Sequence, residues 1–212
     1  MANNIESQIV YEHLVRLCGF RGANVTGRVG PAEFAKTMDT NHYVSITAER
    51  PATDIRGAAH ILIIQFSSYR YIDASSQKFN AFLEKQIRAR PADEIEYNII
   101  LVSSSAISST ISRTIAEQRA AGIIVEHFNA SMFLIVVPEH DNVPRHTIVP
   151  RDEVNKICQE LHMMVSNFPC IIAAGANPDP MAIWLGLRPG MVVRIDRPSE
   201  TAGIETVYRR CV

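Results

Sequence analysis

Two uninterrupted apolar runs constrain this chain more than any other feature. "AHILIIQF" (59–66) and "EYNIILVSS" (96–104) are each too short for a typical helix, so each predicts a buried strand. Between them, "SSQKFNAFLEKQIRA" offers Ser75 or Ser76 as a cap. It places Phe79, Phe82, Leu83 and Ile87 on one face, the pattern of an amphipathic helix. A second such segment, "SSTISRTIAEQRAAG", carries Ile111 and Ile115 and ends at Gly122. "GIIVEHF" and "MFLIVVP" then read as further strands. Strand and helix alternating in this way predict an α/β layer with right-handed crossovers.

Ahead of the layer, Ile5, Ile9, Tyr11, Leu14, Val15 and Leu17 recur near helical spacing. They predict an opening helix from about Asn4 to Cys18, ended by Gly19 and Gly22. Pro31 suits the first turn of a short second helix, and residues 39–57 read as mostly irregular. The texture changes near Pro138. "PEHDNVPRHTIVPRDE" reads as a linker. A helix ("RDEVNKICQELH"), a Pro-rich passage, a short helix ("PMAIWLGL") and a terminal hairpin follow it. The expected organisation is therefore a 1–140 α/β domain with a small mixed sheet, joined to a 141–212 α+β domain ending in a β-hairpin.

At 212 residues and 47% apolar composition the chain can bury real cores. The formal net charge of −1 lacks the basic excess of a freely acting nucleic-acid binder, so any DNA contact must be local or supported by partners. Arginine supplies 17 of the 21 basic residues. That excess suits bidentate contacts, although genome composition produces it equally well. Cys18, Cys158, Cys170 and Cys211 form no C-x-x-C pair and read as small buried residues of a reducing compartment. No secretory leader and no membrane span are expected, so the sequons at Asn24 and Asn129 carry no weight.

Catalytic patterns are sparse. "GANVTGRV" has P-loop glycine spacing, but Arg28 and Val29 stand where Lys and Ser/Thr would be needed, and it follows a helix. His140 and His146 have no Cys or carboxylate at ligand spacing, so no metal is expected. A metal-dependent nuclease needs clustered strand carboxylates, and only Glu96 and Glu126 are near. "SSSAISS" (103–109) contains no G-x-S-x-G elbow. It does place Ser108 or Ser109 at a helix N-terminus, with Arg113 expected on the first turn and within reach of an anion bound there. That is either a plain cap or a phosphate contact facing DNA.

The C-terminal passage is more specific. "VPRH" (143–146), "DPMAIWLGLRPGMVVRI" (179–195), "RPSETAG" (197–203) and "YRRCV" (208–212) occur in order. Together they closely resemble the C-terminal domain of the fifth subunit of eukaryotic RNA polymerases, shared by polymerases I, II and III. The archaeal counterpart of that subunit and homologues in large DNA viruses belong to the same family. The first 140 residues resemble the family's N-terminal jaw only in plan. There are departures: Phe168-Pro169-Cys170-Ile171 stands for L-P-R-I, Trp184 for a tyrosine, and a proline of the jaw loop has no counterpart in "SSSAISS".

The resemblance implies a non-catalytic subunit of DNA-directed RNA polymerase, without cofactor, working in transcription in the nucleus or a viral transcription compartment. Its partners would be the largest subunit, other polymerase subunits and downstream duplex DNA, with no membrane and no homo-oligomer. Matched positions imply partner binding at Pro144, His146, Asp179, Pro180, Trp184, Leu185, Gly186, Arg197, Ser199, Glu200, Thr201, Gly203, Tyr208 and Arg209. DNA would face Ser108, Ser109 and Arg113. For Trp184 a core position is the competing reading. Within the loop, Pro198 is expected to stop the ladder, Ser199 and Thr201 to brace the turn, and Arg197 and Glu200 to pair or reach a partner. A free-standing nuclease-like or nucleic-acid-binding α/β module is the alternative.

Overall fold

The computed structural model describes residues 2–41, 43–51, 60–67, 81, 84–85, 88, 96–103, 109–120, 123–174, 177–201 and 203–212. The chain divides into two compact units, Met1–Ile135 and Val136–Val212.

The N-terminal unit opens with helix α1 (Ala2–Phe20), followed by strand β1 (Asn24–Gly27) and helix α2 (Pro31–Asn41). Strands β2 (Tyr43–Arg50), β3 (His60–Ser67), β4 (Glu96–Ser103) and β5 (Ile124–Asn129) complete a five-stranded sheet in the order β1-β2-β3-β4-β5. β1, β2 and β3 pair antiparallel, while β3, β4 and β5 run parallel, so the sheet is mixed as expected. Helix α3 (Ser109–Ala120) connects β4 to β5. Its Ile111 and Ile115 pack with Ile63, Ile99, Leu101, Ile123 and Val125. Alternation turns Leu62, Ile64, Phe66, Ile100 and Val102 to the other face, and these are buried too. Burial on both faces is why the two central strands read as continuous apolar runs. The helix expected over 75–89 lies largely outside the described residues; Ala81, Glu84, Lys85 and Arg88 are helical.

Three expectations are corrected. Residues 43–50, expected to be irregular, form β2, with Val44, Ile46 and Ala48 buried between half-exposed neighbours. "MFLIVVP" is not a strand: Ala130–Phe133 and Val137–Glu139 form 3-10 turns. Asn129 Oδ1 accepts from Ser131 N–H at 2.9 Å and bends the chain as β5 ends, and Pro138 cannot donate to a ladder. The "linker" contains a true strand, β6 (Arg145–Ile148), bracketed by Pro144 and Pro150.

In the C-terminal unit, β6 is followed by α4 (Arg151–Glu160), β7 (Cys170–Ile171), α5 (Pro180–Leu185), β8 (Val192–Ser199) and β9 (Gly203–Cys211). The four strands order β6-β8-β9-β7. One cluster joins α5 to the sheet: Met181, Ala182, Leu185, Leu187, Val193, Ile195 and Cys211, with Val207 beside them. A second joins Val149, Phe168 and Val192 to Val154 and Ile157 of α4 and to Tyr208. The sheet is thus covered on both faces, and Val207 and Tyr208 serve opposite ones, as the alternation requires. Cys18 and Cys211 are buried, and burial pushes both thiols up to about 11. Cys158 is half-buried and Cys170 is exposed, against the expectation that all four are buried.

Candidate functional site

The residues of the C-terminal motifs collect on helix α5 and on the β8–β9 hairpin. Asp179, extended at φ −65° and ψ 127°, caps α5: its Oδ1 accepts from Met181 N–H at 2.8 Å. Pro180 holds the first helical position, where no N–H is needed. Gly186 ends the helix in the left-handed conformation, φ 62°. Gly186 N–H bonds Ile183 O at 3.1 Å and Leu187 N–H bonds Ala182 O at 2.9 Å, the double bond of a Schellman motif. A helix of six residues depends on such caps, because it has little internal ladder. Asp179→Ala is therefore expected to destabilise the C-terminal unit by about 1 kcal/mol, measured as a lowered urea midpoint for amides of β8.

The turn is tighter than the seven-residue loop the sequence suggests. β8 runs through Ser199 and β9 begins at Gly203, leaving three residues between. Pro198 does not stop the ladder; it pairs with Ile204, beyond the last pairing of β8 with β6 at Asp196. There β8 has a single neighbour, so a missing donor is tolerated. Gly203 takes φ 73°, the positive angle expected of it. Ser199 Oγ and Thr201 Oγ1 meet hydroxyl to hydroxyl at 3.4 Å.

Arg197 pairs with Glu205, its cross-strand register partner, at 2.9 Å, and not with Glu200. Glu200 and Thr201 are exposed at the tip. Alongside, Asp196 Oδ1 accepts from Thr206 Oγ1 at 2.7 Å and from Arg194 Nε at 2.9 Å. The Thr206 hydrogen bond first, and then Arg194, hold its carboxyl below the usual carboxylate range. Tyr208 stacks on Phe168, ring centroids 6.0 Å apart, and Arg209 is half-buried. His146 Nδ1 donates to Pro144 O at 2.7 Å, and His146 pairs with Ile195 across β6 and β8. Trp184 is 1% exposed and Leu185 8%. Both are buried, which favours the core reading of Trp184.

The N-terminal candidates are more scattered. Ser108 lies outside the described residues. Ser109 is the exposed first residue of α3. Arg113 lies past the first turn, is exposed, and pairs with Glu117 at 3.7 Å. Sequence reasoning missed two arrangements here. Arg21, 5% exposed, meets Glu126 at 2.6 Å, and Asn98 Nδ2 donates to the same carboxylate oxygen at 2.9 Å. Ser103 Oγ and His127 Nε2 lie 2.9 Å apart. A serine beside a histidine begins a nucleophile constellation, but Ser103 is fully buried. Among the described residues, no three His, Cys, Asp or Glu side chains gather as a metal site, and no helix is long and apolar enough to cross a membrane.

Burial pushes the His127 imidazole below its ordinary 6.5. The unfolded chain then takes up this proton more readily than the folded one. Stability from this group is complete above pH 6.5 and is lost as pH falls from there toward the lower folded value. The urea midpoint of the N-terminal unit should decline over that interval, and His127→Gln should flatten the decline.

Residues 135–212 match the family model described as RNA polymerase Rpb5, C-terminal domain. The chain is 32% identical over 149 residues to the Caenorhabditis elegans protein named DNA-directed RNA polymerases I, II, and III subunit RPABC1, covering 66% of this chain and 68% of that one. It is 34% identical over 114 residues to the Dictyostelium discoideum subunit of the same name, covering 53% of this chain and 56% of that one. An African swine fever virus protein named DNA-directed RNA polymerase RPB5 homolog is 33% identical over 114 residues, covering 52% and 54%. The matches thus span about half the length of the slime-mould and viral relatives and two thirds of the nematode one.

Proposed function

This chain belongs to the RNA polymerase Rpb5 family, and from that premise we propose that it is a non-catalytic subunit of a DNA-directed RNA polymerase, anchored on the largest subunit through residues 141–212. The single observation that carries the anchoring is the agreement of two boundaries with the placement of the motifs. The family match begins at 135, the compact C-terminal unit at Val136, and the motif residues fall on that unit's cap, sheet and hairpin. The exposed groups available to a partner are Arg197, Glu200, Thr201 and the half-buried Arg209. Asp179, Pro180 and Gly186 act by shaping α5, Leu185 acts by joining the core between α5 and the sheet, and Trp184 is buried.

The N-terminal unit serves as the jaw facing downstream duplex DNA, by way of the α3 N-terminus and Arg113. A net charge of −1 makes this a local contact that supports DNA already held by the assembled enzyme. The compartment is the nucleus, or a viral transcription compartment, and one copy of the chain enters each complex.

A tagged full-length chain purified from its source tests the reading. Co-purification of the largest subunit in equal amount is expected, and a small free species on gel filtration would overturn it. Arg113→Glu should leave that co-purification intact and reduce crosslinking to downstream duplex DNA. Unchanged crosslinking would remove Arg113 from the DNA-facing surface.

A further inference from the structure

The hairpin leaves one side of a strand open, and hydrogen bonds at its end fix which backbone groups face outward. Arg210 N–H donates to Pro169 O at 2.9 Å and Val212 N–H to Ile171 O at 3.0 Å, both on the β7 side. Cys211 N–H donates to Met191 O at 2.7 Å, on the β8 side. Backbone groups alternate sides along an antiparallel strand. Working back from Arg210, the N–H and C=O of Tyr208, Thr206 and Ile204 therefore point away from β8. β7 pairs only with Arg210 and Cys211, so among the described residues no strand pairs with β9 from Gly203 to Arg209 on that side.

Folded proteins blunt a free edge of this length with a proline, charged side chains or a bulge. β9 has no proline and no bulge, and of its charges Glu205 is held by Arg197 and Arg210 lies where β7 already pairs. Its register against β8 runs unbroken from Ser199↔Gly203 to Val192↔Arg210, and Ile204 is 70% exposed. The edge is regular, six outward backbone polar groups long, and paired with no strand among the described residues.

We propose that this edge accepts a short extended segment of the anchoring subunit as an added fifth strand, bonded to the backbone of Ile204, Thr206 and Tyr208. The inference rests on the polymerase-subunit reading above and names the surface that reading uses. Side chains specify the guest. One face of β9 presents Ile204, Thr206 and Tyr208, and the other Glu205, Val207 and Arg209. Glu205 is already paired with Arg197, which leaves Arg209 as the charge to be matched. The guest is therefore an alternating segment with an apolar residue beside Val207 and an acidic residue beside Arg209.

Hydrogen exchange on the full chain, free and within purified polymerase, reads the edge directly. In the free chain the Thr206 and Tyr208 amides should exchange fast while Val207 and Arg209 are protected. In the complex Thr206 and Tyr208 should slow by about 100-fold or more, as paired strand amides do. Thr206→Pro removes one outward backbone N–H together with the hydroxyl that bonds Asp196, and should leave protection at Val193 and Ile195 unchanged. It should cut incorporation into polymerase at least tenfold, roughly what one lost strand contact yields. Thr206→Ala, which loses the hydroxyl but keeps the N–H, should incorporate normally.

If the wild-type chain does not enter polymerase, the functional reading fails and takes this one with it. If it enters while Thr206 and Tyr208 exchange as in the free chain, the edge assignment alone is overturned, whatever becomes of the proline variant. A dimeric free chain with those amides already protected would also overturn it, giving the edge to a second copy with Glu205 against Arg209.

Discussion

Trp184→Ala is expected to destabilise the C-terminal unit by about 3–5 kcal/mol. Trp184 is the largest fully buried side chain, 1% exposed on a helix whose residues Met181–Leu185 are all buried. Truncation removes the transfer free energy of an indole and leaves a void that a six-residue helix, fixed by caps at both ends, cannot collapse to fill. The loss should appear as faster exchange at Val193 and Ile195, since α5 packs on those strand residues. Ile204→Ala, at a side chain 70% exposed, should change stability by no more than about 0.5 kcal/mol. A Trp184→Ala chain of unchanged stability that failed only in assembly would reverse the assignment and make the indole a partner anchor.

Legibility in the sequence followed the range of the interaction. The α5 caps were readable at the residue level, because Asp-Pro at one end and Gly at the other act within a few positions. The positive φ of Gly203 and the opposed faces of Val207 and Tyr208 were readable for the same reason. β2 was hidden because it is polar at every second position. Val44, Ile46 and Ala48 supply the period, but Ser45, Thr47 and Glu49 dilute the composition. "MFLIVVP" misled in the opposite way: it has a strand's composition, and a single side-chain acceptor at Asn129 turns the chain first. The partner of Arg197 could not be chosen without the register. Glu200 is nearer in sequence, but the hairpin places Glu205 directly opposite. Ser103–His127 and Arg21–Glu126 join segments 24 and 105 residues apart, and no local pattern announces either.

Arg21→Ala should cost the N-terminal unit about 3 kcal/mol, at the lower end for a broken buried pair because Glu126 keeps 21% exposure. The guanidinium sits just past α1, where Arg21 N–H still bonds Leu17 O at 3.0 Å, and it reaches the edge strand β5. Its removal takes the guanidinium away from a carboxylate that also accepts from the Asn98 amide at 2.9 Å. Glu126→Gln should cost less, because a neutral amide carries a smaller desolvation penalty beside the arginine than an unpaired charge does. The double replacement Arg21→Met with Glu126→Gln removes both charges, keeps the volume and leaves an acceptor for Asn98 Nδ2. It should fall within about 1 kcal/mol of the parent, since neither desolvation penalty remains. Costs that simply add across the cycle would show that the two side chains are not coupled. Recovery in the double variant would show that the pair contributes little net stability. What it would then determine is the seat of α1 against β5, because an arginine placed elsewhere on that sheet would find no carboxylate to meet it among the described buried side chains of β3 and β4.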